Sequence, residues 1–439
     1  MTDAMLAVNG GPKAVTGLSP QPSKLGVEEL MELIDLWQLS PGVRAQVGQL
    51  LAGDQGLRGP HLFRYYNPRP SKVAESEKLF AEYIGVPHAL AVNSCTSALI
   101  AAFRALGVGR GDEVIVPGYT FFATAATVGA CNAIPVIADV DDTLTLDPKD
   151  VERKITPRTK AIAVVHMRGA PAQMDEIMAV ARRHNLGVVE DVAQAAGGAY
   201  KGRMLGSIGT MGCFSFDFYK ILNSGEGGYV TTSDEWLFTR AQSWHDTAAC
   251  WRPNRYASER REGELFCGEN YRMSELQGAV AIAQIRKAKS YLKGYRANRD
   301  RILKALKLPE GVTLRRLSDP KGDTGSTIGI YLPDIEKTKW AMKAMKAEGV
   351  PAGGLYDEQV KDWHIYPYWE HILQLKSVAP DGLPWSGVPK KDLPKYGPRM
   401  CPKTLDYLAR AIMLNVAWAW TPADCKVIAA GINKVLKAL

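Results

Sequence analysis

Nothing in the sequence pairs its cysteines. The seven of them (Cys95, Cys131, Cys213, Cys250, Cys267, Cys401 and Cys425) include no C-x-x-C and no pair at metal-ligand spacing. That excludes a zinc ribbon or a disulfide scaffold and points to reduced thiols in a cytoplasmic protein, with no metal centre. Long apolar runs are also missing. The most apolar stretch, Phe121 to Val140, is interrupted by Asn132, Pro135 and several small residues. It reads as a helix followed by a strand rather than a membrane span. The start, Met1-Thr-Asp-Ala-Met-Leu6, has neither a basic segment nor an apolar core, so no signal peptide is expected. Basic residues outnumber acidic ones, 54 to 46, for a net charge of +8, but they form no stripe. The local cluster Arg252, Arg255, Arg260 and Arg261 is interleaved with Glu259, Glu262 and Glu264 and reads as a solvated loop. Neither nucleic acid nor a membrane is an expected partner. The glycines of Gly206-x-x-Gly209-x-x-Gly212 and Gly107-x-Gly109-x-Gly111 do not sit between strand and helix at dinucleotide-binding spacing, and both read as turns.

What is present is alternation. In a chain of 439 residues, short apolar runs at His88–Val92, Glu113–Pro117, Ile134–Ala138, Thr159–Val165, Gly187–Asp191 and Gly228–Thr232 read as strands. Helical spacing appears at Lys72–Ile84, Ala98–Leu106, Thr124–Cys131 and Met174–His184. This pattern predicts an α/β fold with a mostly parallel central sheet covered by helices on both faces. Residues 1–70 read as an N-terminal arm and helix, 71–290 as a large domain, and 291–439 as a smaller C-terminal α+β domain. Ser274 to Lys293 is the helix leading out of the large domain, and Leu405 to Ala417 has helix or strand character.

Ligands of such sheets sit at the carboxyl ends of strands, where this chain places Ser94, His166, Asp191 and Ser215. The hydroxyls of Ser94, Thr96 and Ser97 at a strand-to-helix junction offer either an N-cap or a phosphate seat. An Asp at a buried strand end needs a cation, and a pyridinium nitrogen is one. Gln194, three residues beyond Asp191, is within reach of a ring hydroxyl. Lys220 follows Ser215 and precedes the Gly-rich turn Gly225-Glu-Gly-Gly228, a setting suited to a nucleophilic amine.

In order along the chain, Ser94-Cys-Thr-Ser-Ala-Leu99, Pro117-Gly-Tyr-Thr-Phe-Phe-Ala-Thr124, Glu190-Asp-Val-Ala-Gln194, Ser215-Phe-Asp-Phe-Tyr-Lys220, Gly225-Glu-Gly-Gly228 and Asn270-Tyr-Arg-Met-Ser-Glu-Leu276 resemble the DegT/DnrJ/EryC1/StrS family of sugar aminotransferases, enzymes of pyridoxal-phosphate fold type I. The resemblance runs from about Glu75 to Gln284. It implies pyridoxal 5'-phosphate as cofactor, passing through the PMP form. It implies Lys220 as the amine that holds the cofactor and shuttles the proton, and Asp191 opposite the ring nitrogen. Phe121 would lie on the ring face and Gln194 by the ring hydroxyl. Ser94, Cys95, Thr96 and Ser215 would surround the phosphate, and Asn270 would reach the phosphate of a neighbouring subunit in a homodimer. His166, Arg168, His245 and His364 are the candidate substrate contacts. The implied reaction moves an amino group from glutamate or glutamine to a keto-sugar or keto-cyclitol. The alternatives are a sugar dehydratase using the same cofactor, which the presence of Lys220 disfavours, and a non-catalytic sensor on the same fold. Three positions depart from the family pattern: Cys95 within the Ser-Gly-Thr motif, Asp217 where His or Gln is usual, and Arg168 in a turn that usually has no Arg.

Overall fold

The apolar runs pair into one sheet. A computed structural model describes residues 5–18, 23–252 and 254–439. In it β1 (His88–Val92), β2 (Glu113–Pro117), β3 (Ile134–Ala138), β4 (Thr159–Val165), β5 (Gly187–Asp191), β6 (Met211–Ser215) and β7 (Gly228–Thr232) form a seven-stranded sheet in the order β1-β7-β6-β5-β4-β2-β3. The pairings among β2 to β6 are parallel, and β7 runs against both of its neighbours. Alternate side chains enter two different cores: Ala89, Ala91 and Ile115 one, Leu90, Val114 and Val116 the other. The sheet is therefore buried on both faces, which is why its strands read as continuous apolar runs rather than alternating ones.

Two glycines let backbones approach where the site is built. A Cβ on Gly228 would lie 2.6 Å from the Phe214 carbonyl and 2.7 Å from the Ser94 carbonyl carbon. Only a bare backbone lets β7 run between the end of β1 and the end of β6. Gly169 has φ +80°, and a Cβ there would lie 2.1 Å from Thr324 Oγ1. It closes the tight turn after β4.

The first helix after β1 spans Cys95–Ala105, three residues earlier than the apolar spacing predicts, because Ser94 caps it by accepting the Ser97 N–H at 3.1 Å. The exit helix runs Glu275–Ala305, well past Lys293. Beyond it a four-stranded antiparallel sheet has the order β8 (Thr313–Leu314), β9 (Thr327–Tyr331), β11 (Ala411–Asn415), β10 (Ala352–Gly354). The stretch from Leu405 resolves into the end of a helix, Pro402–Arg410, followed by β11. Helices at Pro41–Gly53 and Glu235–His245 were not legible from spacing. The first buries no side chain and so carries no apolar stripe.

By contacts the chain divides into residues up to Phe63 with Asn67–Arg69, and Arg64–Tyr66 with Pro70–Leu439. Within the first unit Arg44 bonds Asp35 through Nε and Nη2, at 2.6 and 2.7 Å. The N-terminal arm expected from the sequence falls partly on residues 1–4 and 19–22, outside the described residues. All seven cysteines are free. Among the described residues no helix is long and apolar enough to cross a membrane.

Candidate active site

A cavity of about 850 Å³ opens where β1, β5 and β6 end. Its wall brings together ten of the thirteen residues singled out from the sequence: Ser94, Cys95, Thr96, Phe121, Asp191, Gln194, Ser215 and Lys220, with Arg168 and His364 as the substrate candidates among them. Strand ends converge here because parallel strands share a direction, so residues distant in sequence meet at one edge.

Asp191 is 5% exposed. Its Oδ2 accepts the Thr124 hydroxyl at 2.8 Å and its Oδ1 the Ala193 N–H at 3.1 Å. Burial raises its carboxyl pKa above the ordinary value, opposed by those two bonds and by the charge of Lys220. No cation forms an ion pair with it among the described residues, so a buried acid in the cavity wall lacks a positive partner. Lys220 sits half-buried in the turn after β6, with its backbone N–H donating to the Asp217 carbonyl at 3.0 Å. The other end of the cavity is the start of the Cys95–Ala105 helix, whose N-terminal dipole favours an anion. Ser215 also lines the cavity, and its Oγ accepts the Asp217 N–H at 3.2 Å. Burial pushes the Cys95 thiol up, so it stays neutral beside that anion seat. An anion seat, a free amine and an unpaired buried carboxylate in one cavity match the phosphate, aldehyde and ring nitrogen of pyridoxal phosphate, so the residues present fit that cofactor.

Three candidates lie elsewhere. His166, expected at the substrate, is fully buried behind the sheet edge. Its Nδ1 accepts the Ala172 N–H at 3.1 Å, which leaves Nε2–H to donate to Glu190 Oε2 at 3.0 Å. Burial works to raise the Glu190 carboxyl, but His166 and the N–H groups of Gly206 and Gly209 outweigh it and hold it below its usual value. His245, also expected at the substrate, is likewise fully buried. It bonds the Gln242 carbonyl through Nδ1 at 2.7 Å and the Tyr65 hydroxyl through Nε2 at 3.1 Å. Burial lowers its pKa to about 4, so it is a neutral structural histidine at neutral pH. In both cases satisfied ring nitrogens leave nothing to offer a ligand. Asn270 is exposed and outside this cavity, and its Oδ1 accepts the Arg272 N–H at 3.3 Å.

Sequence reasoning passed over Thr124, Tyr295, Ser326, Thr327 and Asn415, which also line the cavity. Thr124 was within reach, one helical turn from Phe121. The other four come from the long exit helix and the second sheet, and no local pattern marks them.

Residues 68–380 match the DegT/DnrJ/EryC1/StrS aminotransferase family. Over 237 residues the chain is 43% identical to a GDP-perosamine synthase of Caulobacter vibrioides, a match covering 53% of this chain and 60% of that protein, less than two thirds of its length. It is 37% identical over 334 residues to an L-glutamine:2-deoxy-scyllo-inosose aminotransferase of Micromonospora echinospora, covering 74% of this chain and 73% of that one. Its structure is similar to the X-ray structure of the aminotransferase from Psychrobacter cryohalolentis, with a TM-score of 0.71 at 26% identity over 96% of this chain and 99% of the other.

Proposed function

The chain belongs to the DegT/DnrJ/EryC1/StrS aminotransferase family, with its type I fold and pyridoxal-phosphate cofactor, and from that premise we propose that it transfers an amino group from glutamate or glutamine to a keto-sugar or keto-cyclitol in the cytoplasm. The observation that carries the reading is the presence of Lys220 and the unpaired, buried Asp191 in one cavity that ends on a helix N-terminus. Both relatives' names support the substrate class, and the second names glutamine as donor.

Ser94, Thr96 and Ser215, with the N–H groups opening the Cys95–Ala105 helix, would hold the phosphate. Phe121, 46% exposed in the cavity wall, offers its ring as the stacking face. Gln194 accepts the Arg168 N–H through Oε1 at 3.1 Å, which leaves its NH₂ to donate to the ring hydroxyl. Asp191 would hold the ring nitrogen protonated; when bound, the cofactor would supply an electron sink for amino transfer. Lys220 would hold the cofactor and would move the proton at the donor's α-carbon and on the acceptor side. The dehydratase alternative has no observation in its favour while Lys220 stands at that position.

The test is a titration of the purified, cofactor-loaded protein with L-glutamate and with L-glutamine, read by cofactor absorbance. At least one should convert the spectrum to that of the PMP form without any acceptor. If no amino acid does so, amino transfer is wrong.

We further propose that a second copy completes the site through Asn270. Phe218 and Tyr219, beside Lys220, are 67% and 87% exposed, aromatic surface that a partner would cover. Chains carrying Lys220→Ala and chains carrying Asn270→Ala, each poorly active alone, should regain activity when mixed and refolded together, because one site of a mixed dimer carries both defects and the other neither. Mixed dimers that form with no gain over the parents would rule out a shared site.

A further inference from the structure

The wall of the cavity away from the phosphate end carries positive charge that the protein leaves unneutralised. Arg168 lines the cavity half-buried. Its guanidinium donates through Nε to the Tyr119 hydroxyl at 3.0 Å, a neutral partner that is itself 1% exposed. Asp175, the acid nearest to it along the chain, is paired with Lys201 instead. The charge of Asp362 reaches Arg168, but that carboxylate is committed to His364, accepting its backbone N–H at 2.9 Å and Nδ1 at 2.8 Å. Among the described residues no carboxylate lies within ion-pair distance of Arg168.

A second guanidinium stands behind the first. Arg315 is 6% exposed and donates to two backbone carbonyls, Thr143 through Nε at 2.6 Å and Met167 through Nη2 at 2.8 Å. It too has no ion pair among the described residues. Two guanidiniums flanking one turn, neither paired, make a standing demand for an anion.

The turn is also held in a conformation that a β-carbon disfavours. Arg168 has φ 58° and ψ 37°, left-handed for a residue with a long side chain. Both of its backbone polar groups are pinned, the N–H to Gln194 Oε1 at 3.1 Å and the carbonyl by the Thr327 hydroxyl at 2.7 Å. The first pin ties Arg168 to a cofactor-facing residue, and the second ties it to the second sheet. A strained backbone fixed from two sides directs this side chain to one place.

From this geometry we infer that Arg168 is the carboxylate-binding residue of the substrate pocket, taking a carboxylate of one of the two substrates on its free guanidinium N–H groups. The inference rests on the amino-transfer reading above. A planar carboxylate meets a guanidinium with two parallel hydrogen bonds, so it suits this seat. The carboxylate belongs either to the amino-acid donor or to an acidic acceptor, and two arms of one experiment separate these sources.

The donor arm follows conversion of the cofactor-loaded enzyme by L-glutamate and L-glutamine. The acceptor arm adds D-glucuronate or, as its uncharged control, D-glucose, and measures competition with the donor. Arg168→Met should weaken one interaction by roughly ten- to a hundred-fold, the loss of one charged, hydrogen-bonded contact. If the donor supplies the carboxylate, the donor concentration for half-maximal rate rises by that factor and Arg168→Lys restores part of it. If the acceptor supplies it, donor saturation is unchanged, while inhibition by D-glucuronate, present in the wild type and absent with D-glucose, is lost. Tyr119→Phe separates binding from mere structure: it removes the guanidinium's internal partner and should change either interaction by no more than a few-fold. The inference is overturned if Arg168→Met leaves both donor saturation and glucuronate inhibition within about twofold. It is equally overturned if Tyr119→Phe reproduces the whole effect of Arg168→Met together with the same fall in melting temperature. A wild-type enzyme that no amino acid converts would instead overturn the amino-transfer reading, and that is seen before any Arg168 variant is made.

Discussion

Lys220→Ala should yield a folded protein that no longer carries a borohydride-fixable bond to pyridoxal phosphate. Wild-type protein reduced with borohydride should hold the cofactor's mass on the peptide containing Lys220, and the variant should hold none. Turnover should fall by roughly 10⁴-fold or more, since on the proposed mechanism the same amine both holds the cofactor and moves the proton. Stability should hardly move. Lys220 is half-buried with no ion pair among the described residues, and substitutions at such positions usually stay within about 0.5 kcal/mol. A variant that still gives a reducible adduct would take Lys220 out of this role.

Asp191→Asn separates charge from shape. The amide keeps the size of the carboxylate, and Thr124 can either donate to it or accept from it, with Thr120 Oγ1 at 2.8 Å as its other partner. Turnover should drop by roughly 10²–10³-fold, the scale of losing one preorganised charge at a reacting centre. The cofactor-free protein should be no less stable at neutral pH. The sign follows from burial: it raises the carboxyl's folded-state pKa above the unfolded value, so the folded chain prefers the protonated form. Above the ordinary carboxylate range the ionised group therefore costs folding free energy, and the neutral amide removes that cost. Near-normal turnover, or a cofactor-free protein several degrees less stable, would place some other group opposite the ring nitrogen.

Strand ends explain why so much of the cavity could be read ahead of the structure. Ser94, Asp191 and Ser215 each close a short Val-, Ile- or Phe-bearing run, and each run pairs into the central sheet with its end at the cavity. The histidines show the opposite case. A histidine reads as a ligand until its partners are known. For His166 the partner is Glu190 on the adjacent strand, and for His245 it is Tyr65, 180 residues earlier. Neither separation leaves a trace in local sequence. Asp175 is the acid nearest to Arg168 along the chain, yet the two do not pair. The left-handed turn at Arg168 directs its side chain to the cavity, and Asp175 at the start of the next helix pairs with Lys201.

The sequence by itself determined the elements and their chemistry. Hydrophobic period separates strand from helix, small hydroxyl residues open a helix, and glycines mark the turns, all through interactions a few residues long. The tertiary structure decided which charges remain unpaired. Whether Asp191, Arg168 or Arg315 finds an internal counter-ion depends on which strands lie side by side and on how the second sheet meets the turn after β4. Burial then makes each missing counter-ion costly, because a charge withdrawn from water must be answered by a partner, and that cost is what the proposed roles of Asp191 and Arg168 rest on.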